Sequence, residues 1–151
     1  MRHALIHQLG RTAARSAVAA LLGAAALLGP AAIAGDEPAV RHGQWQFDRT
    51  MQSPGGAPQK LSSSRCADPA ADWAAQRQKA AKLGCQITPT VHTGSTYRFT
   101  TTCRIAGVTV VSDSVLKVES PESYSVTVES DAAGTKTHEV LVAHRTGDCG
   151  R

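Results

Sequence analysis

Residues 85–104, CQITPTVHTGSTYRFTTTCR, contain two segments that favour β-strands and are separated by a short turn. Pairing Val91 with Tyr97 places the apolar side chains of both segments on one face of the pair. The same register puts Cys85 opposite Cys103, although neither cysteine determines it. The stretch therefore predicts an antiparallel hairpin that a disulfide could close. The strands are predicted at 86–92 and 96–104, with a three-residue loop at 93–95.

The residues that follow this hairpin continue the apolar alternation of half-buried strands over 108–118, 124–128 and 135–144. For the last two strands we expect Val140 opposite Val126 and Val142 opposite Tyr124. In that register Gly134 occupies the left-handed position of a three-residue loop. Three further antiparallel strands are thus predicted.

Two strands and one helix are predicted before residue 85. Residues 43–51 alternate, a Pro/Gly loop follows, and a more polar strand runs from Gln59 to Arg65. Asp68 is a favourable helix N-cap, and Pro69 suits the first helical position. We expect Trp73, Ala80 and Leu83 to form a narrow apolar stripe against the sheet.

These elements define the predicted fold class, which is mainly β. We expect an antiparallel meander of about six or seven strands, as a curled sheet or a partly closed barrel. One α-helix is inserted near 68–83, and two disulfides hold the domain.

The N-terminal segment has the pattern of a secretory signal peptide. Arg2, Arg11 and Arg15 precede an apolar run, and Ala32-Ile33-Ala34 forms a small-x-small cleavage site. The predicted organisation is a signal peptide over 1–34 with cleavage after Ala34, a flexible leader over 35–42, and a single β-domain over 43–151. The location expected from this is periplasmic or secreted.

The charge of the mature chain excludes an electrostatic footprint for nucleic acid. The full chain has a net charge of +4, but three of its 16 basic residues and none of its 12 acidic residues lie in the signal peptide. The remainder is therefore almost neutral and has no basic run, so no nucleic-acid partner is expected. No membrane span is expected in the mature chain either, and its partner is unknown.

All four cysteines lie after the signal peptide, and an even number in a small exported domain is typical of disulfides. The hairpin register favours Cys85–Cys103, which leaves Cys66–Cys149. A metal site or free thiols are the alternatives, although no Cys-x-x-Cys pair occurs.

Four features occur along the chain in this order: GQWQF, SSSRCADPAADW, the pair GCQI and TTCR, and TGDC. Together they resemble a family of short exported bacterial proteins known as domain of unknown function 3617. The resemblance covers about residues 43–149 and implies a periplasmic or secreted location, without an established activity or cofactor. Gln44 and Gln46 depart from the leucine and glutamate usual in the first motif.

Candidate site residues are few. His138 and His144 are six residues apart in the last strand, and we expect both to face solvent, opposite Val140. They are weak candidates for a metal site, because close ligand spacing is missing, and no metal, cofactor or catalytic residue is predicted. Several aromatic residues could line an apolar pocket, although core filling is favoured: Trp45, Phe47, Tyr97, Phe99 and Tyr124.

The function expected from the sequence is that of a non-enzymatic binding or interaction domain, with a protein or an apolar small molecule as a possible partner. Two alternatives remain open. One is a small metal- or thiol-dependent enzyme, and the other is a carrier of an apolar ligand.

Overall fold

A computed structural model describes residues 38–150, which form eight strands and one helix. The predicted signal peptide over 1–34, with its cleavage site after Ala34, lies outside the described residues. The elements are β1 (Gly43–Gln52), β2 (Gln59–Ala67), α1 (Pro69–Lys82), β3 (Gln86–Ile87), β4 (Val91–Thr93), β5 (Thr96–Ile105), β6 (Val108–Ser120), β7 (Ser123–Ala132) and β8 (Thr135–Gly147).

The strands form one antiparallel sheet in the order β2-β1-β8-β7-β6-β5-β3, and β4 also pairs with β5. Strands β5 to β8 form the predicted meander, and the β1–β2 hairpin is added to it through β8. Within the described residues the sheet does not close, because β2 and β3 remain at opposite ends of the order. The predicted fold class is confirmed, with eight strands.

The segment predicted as one strand over 86–92 is divided into β3 and β4. Pro89, which has no N–H to donate to a ladder, lies in the gap. Ile87 lies opposite Thr101, as predicted, but beyond the gap the register shifts by one residue. Val91 consequently faces Arg98 rather than Tyr97, and the hairpin loop has two residues instead of three.

The predicted register of β7 and β8 is also wrong by one residue. Val140 lies opposite Thr127, and the loop again has two residues, Ala133 and Gly134, which both have positive φ. Such a loop matches the right-handed twist of the flanking strands. A one-residue shift moves every side chain to the other face. Leu141 and Ala143 therefore face the interior of the sheet.

The expectation that His138 and His144 lie opposite Val140 is wrong for a reason that does not depend on the register. Alternate residues of a strand share a face, so both histidines lie on the same outer face as Val140 and Val142. His144 is exposed, and His138 is half-buried.

The buried side chains lie on the inner face of the sheet, below α1. Trp45 is fully buried, and its indole N–H donates to the carbonyl oxygen of Arg41. Trp73 of the helix packs on the rings of Tyr97 and Phe99 at centroid distances of 6.2 and 5.6 Å. The buried apolar residues are Trp45, Phe47, Ala67, Tyr97, Leu116, Tyr124 and Ala143.

Helix α1, predicted near 68–83, spans Pro69–Lys82, with Asp68 and Leu83 as its caps. The Asp68 carboxylate accepts a hydrogen bond from the Ala71 N–H, and Pro69 occupies the first helical position. The predicted apolar stripe is wrong at Leu83, because this residue follows the last helical turn and is 73% exposed. No helix among residues 38–150 is long and apolar enough to cross a membrane.

Part of the predicted flexible leader packs on the domain. Pro38 is buried, and Val40 packs against the apolar core. The Arg41 N–H donates to the Pro121 carbonyl, and Arg145 Nε donates to the carbonyl of His42. Residues 38–42, at the end of the leader expected over 35–42, therefore lie against the domain, held by one backbone hydrogen bond and one bond from the Arg145 side chain.

Both predicted disulfides are confirmed. Cys85–Cys103 joins the segment after the helix to β5, and Cys66–Cys149 joins the end of β2 to the segment after β8. The second bridge spans 83 residues and ties the last segment of the fold to the sheet edge. All four cysteines are paired, so the described residues contain no free thiol.

Candidate functional site

A cavity of about 650 Å³ lies between the inner face of the sheet and helix α1. Its volume is within the range of small-molecule sites, which is about 300–1,000 Å³. Side chains from β1, β2, α1, β3 and β5 to β8 line it. Among the described residues one short helix covers only part of the inner face, and the cavity occupies the remaining space beside it.

The lining is mainly apolar. Aliphatic side chains of the inner face form much of the wall, and three of the five aromatic residues named from the sequence also line it: Phe47, Phe99 and Tyr124. Trp45 and Tyr97 belong to the packed core instead. The aliphatic side chains include Ile87, Leu116, Val126, Val128 and Leu141.

The cavity opens between the edge strand β2 and the helix. The lining residues Leu61, Ser63 and Gln76 are exposed, whereas Leu116 and Ser114 are buried at the opposite wall. This opening coincides with the edge of the sheet that no further described strand covers. A small molecule can therefore reach the apolar wall without unfolding of the sheet.

Charged residues of the lining form two ion pairs. Arg65 Nη2 lies 2.8 Å from Asp72 Oδ2, and Arg49 Nε lies 3.3 Å from Glu139 Oε1. The Arg65 guanidinium also lies over the Phe47 ring, 4.9 Å from its centroid. Each carboxylate of the lining is thus balanced by an arginine.

A third arginine of the lining, Arg77, has a different environment. Its Nη1 donates to Thr90 Oγ1 at 2.7 Å, and its guanidinium lies 5.5 Å from the Phe99 ring centroid. Within residues 38–150 no carboxylate lies at ion-pair distance from it. The side chain is only half-buried, so part of the guanidinium remains accessible beside the aromatic wall.

Tyr124 is the titratable group of the cavity most affected by its environment. Burial raises the pKa of Tyr124 to about 12, with a lowering effect of Arg65 and a raising effect of Asp72. The phenol is therefore neutral near pH 7 and has no tendency to act as a general base there.

The chain that forms this sheet and its disulfides matches a known protein family. The family model with the description "Protein of unknown function (DUF3617)" matches residues 40–149. The chain belongs to this family. No curated protein and no solved structure matches the chain.

In this DUF3617 chain a group of potential metal ligands lies on the outer face of the sheet, away from the cavity. It consists of His42 and the Cys66–Cys149 disulfide. His42 Nε2 lies 3.6 Å from Cys66 Sγ and 3.4 Å from Cys149 Sγ. The three potential ligand atoms lie within 4.8 Å of one another, a spacing that suits a metal ion. Both sulfurs are bonded to each other, however, and a metal binds thiolates. The cluster is therefore a covalent clamp in this state.

The histidines considered as metal ligands are not brought together. His138 and His144 are in one strand, and the extended backbone separates them by about 20 Å. His138 Nδ1 instead lies 2.5 Å from Glu129 Oε1 of the neighbouring strand. No ion could contact both imidazoles.

Sequence reasoning missed the polar part of the cavity. Arg65 and Asp72 lie in the motif SSSRCADPAADW, but the resemblance gives them no role, and an acidic residue in the first helical turn is expected without any site. Arg77 lies outside all four motifs. The sequence contains one weak indication of the polar part of the cavity. Arg77 follows Trp73 by four residues, so both side chains lie on one face of the helix.

Proposed function

We propose that this protein is an exported binding protein that takes up an apolar small molecule in the cavity between the sheet and helix α1. The observation that carries the proposal is the cavity of about 650 Å³ with mainly apolar and aromatic walls. Burying the apolar part of a ligand there would stabilise the complex by about 25 cal/mol per Å² of apolar surface removed from water.

The chemistry of the lining supports binding over catalysis. Among the described lining residues there is no histidine or cysteine, and both carboxylates are held by arginines. A nucleophile with an adjacent general base is the usual requirement for covalent catalysis. The Tyr124 phenol, whose pKa is raised, does not supply such a base near neutral pH.

The two disulfides support the proposed export. Structural disulfides persist in oxidising compartments such as the periplasm and are rare in the cytosol. The full chain should therefore be expressed in a Gram-negative host and fractionated. Mass spectrometry of the periplasmic protein should find residue 35 as the new N-terminus and no thiol that reacts with an alkylating agent. Retention of residues 1–34 in cytosolic protein would contradict export.

Ligand binding can be tested with the neutral dye Nile red, whose fluorescence rises in apolar surroundings. We expect saturable binding to the purified protein after removal of endogenous lipid. Thr101→Trp should weaken this binding about tenfold or more, because Thr101 lines the cavity and a bulky ring would occupy it.

The matched control is Thr102→Trp. Thr102 is the next residue of β5, and its side chain points to the other face of the sheet. This variant should bind Nile red like the wild type. Absence of saturable binding, or equal loss in both variants at unchanged melting temperature, would contradict the proposed function.

A further inference from the structure

We infer that the ligand of the cavity is an amphipathic anion, and that Arg77 binds its carboxylate while the inner face of the sheet takes its apolar chain. This inference rests on the proposed function and specifies its ligand class. It follows from the distribution of charge in the lining, from the surroundings of Arg77 and from the position of the apolar wall.

The charges of the lining do not cancel. Among the described residues the lining contains three arginines and two carboxylates. Asp72 is paired with Arg65, and Glu139 is paired with Arg49. One positive charge therefore remains, and it belongs to Arg77.

The Arg77 guanidinium is held in place but has free donor capacity. A guanidinium offers five N–H donors, and the hydrogen bond to Thr90 Oγ1 uses one of them. The contact with the Phe99 ring restrains the plane of the group. A planar fork that is already restrained loses little freedom when it binds a carboxylate in bidentate fashion.

The environment of Arg77 also favours an anion over a neutral polar group. The side chain is half-buried beside Phe99 and Trp73, where a charge is less well hydrated than in bulk water. An incoming carboxylate would supply the missing opposite charge at this position. Its attraction to the guanidinium is greater there than on an open surface, because the aromatic rings exclude water.

The apolar part of such a ligand has a continuous wall to cover. From Phe99 the lining continues over Leu116 and Val126 to Leu141, all on the inner face of consecutive strands β5 to β8. An anion at Arg77 with an aliphatic chain along this wall would satisfy both features at once. A long-chain carboxylate has this chemistry.

The inference can be tested by comparing dodecanoate with dodecanol, below their aggregation concentrations, in displacement of Nile red. The two probes share an aliphatic chain and differ in the charge of the head group. We expect dodecanoate to bind wild-type protein about tenfold or more tightly than dodecanol. Arg77→Gln should abolish this difference and leave the affinity for dodecanol unchanged.

Two further variants separate charge from packing. Arg77→Lys keeps the charge and should retain part of the preference for dodecanoate. If Arg77 had only a structural role, its replacement would change the affinities for dodecanoate and dodecanol equally. Arg104→Gln is the matched control, because Arg104 is exposed and does not line the cavity. Its affinities for both probes should equal those of the wild type.

The outcomes distinguish the two proposals. Equal binding of both probes, with no effect of Arg77→Gln, would overturn the anion inference and leave an apolar binding site. Failure of Nile red and both probes to bind would overturn the proposed function as well. A dimer that Nile red dissociates, or an N-terminal peptide that blocks the dye, would also overturn the inference by showing another occupant of the cavity.

Discussion

Arg65 Nη2 lies 2.8 Å from Asp72 Oδ2, so one ion pair joins the edge strand β2 to helix α1 beside the opening of the cavity. Both side chains are about half exposed, at 53% and 40%. Exposed pairs contribute about 0.2–1 kcal/mol to the free energy of unfolding, because water and salt screen them. We therefore assign this pair a role in orienting the helix rather than in stabilising the fold.

A double-mutant cycle with Arg65→Gln and Asp72→Asn should give a coupling energy below about 1 kcal/mol in urea denaturation. The coupling should decrease further at high salt. The Lys117–Glu119 pair, whose side chains are 57% and 49% exposed, is the control and should also give a coupling below about 1 kcal/mol. A coupling of several kcal/mol that salt does not change would contradict this assignment.

Alkaline pH should destabilise the fold through Tyr124. Its pKa is about 12 in the folded chain against an ordinary value of 10.0. Between these values the unfolded chain has lost the phenol proton and the folded chain has kept it. The free energy of unfolding should therefore fall as pH rises from 10, by up to about 1.4 kcal/mol per pH unit.

The contribution of Tyr124 can be measured by urea denaturation across this pH range. It is the difference in free energy of unfolding between the wild type and Tyr124→Phe. The variant should lose that part of the pH dependence. Asp72→Asn should lower the pKa of Tyr124, and Arg65→Gln should raise it, since these charges act on the phenol in opposite directions. An unchanged slope in Tyr124→Phe would contradict the prediction.

The two disulfides should differ in their effect on stability. Replacing Cys66 and Cys149 by serine opens a span of 83 residues and should cost about 4.5 kcal/mol of unfolding free energy by loop entropy. Replacing Cys85 and Cys103 opens a span of 18 residues and should cost about 3 kcal/mol. Urea denaturation of both double variants tests this order, and the reverse order would contradict the entropic account.

The register of β8 can be tested by changing two neighbouring residues to threonine. Leu141 packs against the core, so Leu141→Thr should cost about 2–4 kcal/mol. Val142 is 46% exposed on the outer face, and Val142→Thr keeps its β-branched shape, so the cost should stay within about 0.5 kcal/mol. The opposite ranking in thermal or urea denaturation would favour the register in which Val142 faces Tyr124.

Local patterns were sufficient for most elements of the fold. The alternation in β1, the N-cap Asp68 and the pairing of Cys85 with Cys103 depend on residues close together in the chain or on one hairpin. Errors occurred where loop length sets the register. Two-residue loops replaced the predicted three-residue loops, as at Ala133 and Gly134, and alternation alone does not distinguish them.

The candidate site depended on contacts that no local pattern contains. Arg77 and Phe99 lie on the helix and on β5, and the pair Arg49 and Glu139 joins the two ends of the domain sequence. The first contact requires that α1 pack over β5, and the second requires that β1 pair with β8. Long-range pairing of this kind decides which face of a strand is enclosed.

By itself, therefore, the sequence determined the helix, most of the strands and the Cys85–Cys103 pair, because periodicity, capping and hairpin pairing act over short distances. The Cys66–Cys149 pair, 83 residues apart, followed because no other cysteine remained. Only the tertiary structure decided that, among residues 38–150, helix α1 covers just part of the inner face of the sheet. The cavity is the consequence, since side chains from seven strands and one helix surround a space that none of them fills. The same arrangement leaves Arg77 beside that space without a carboxylate partner among the described residues.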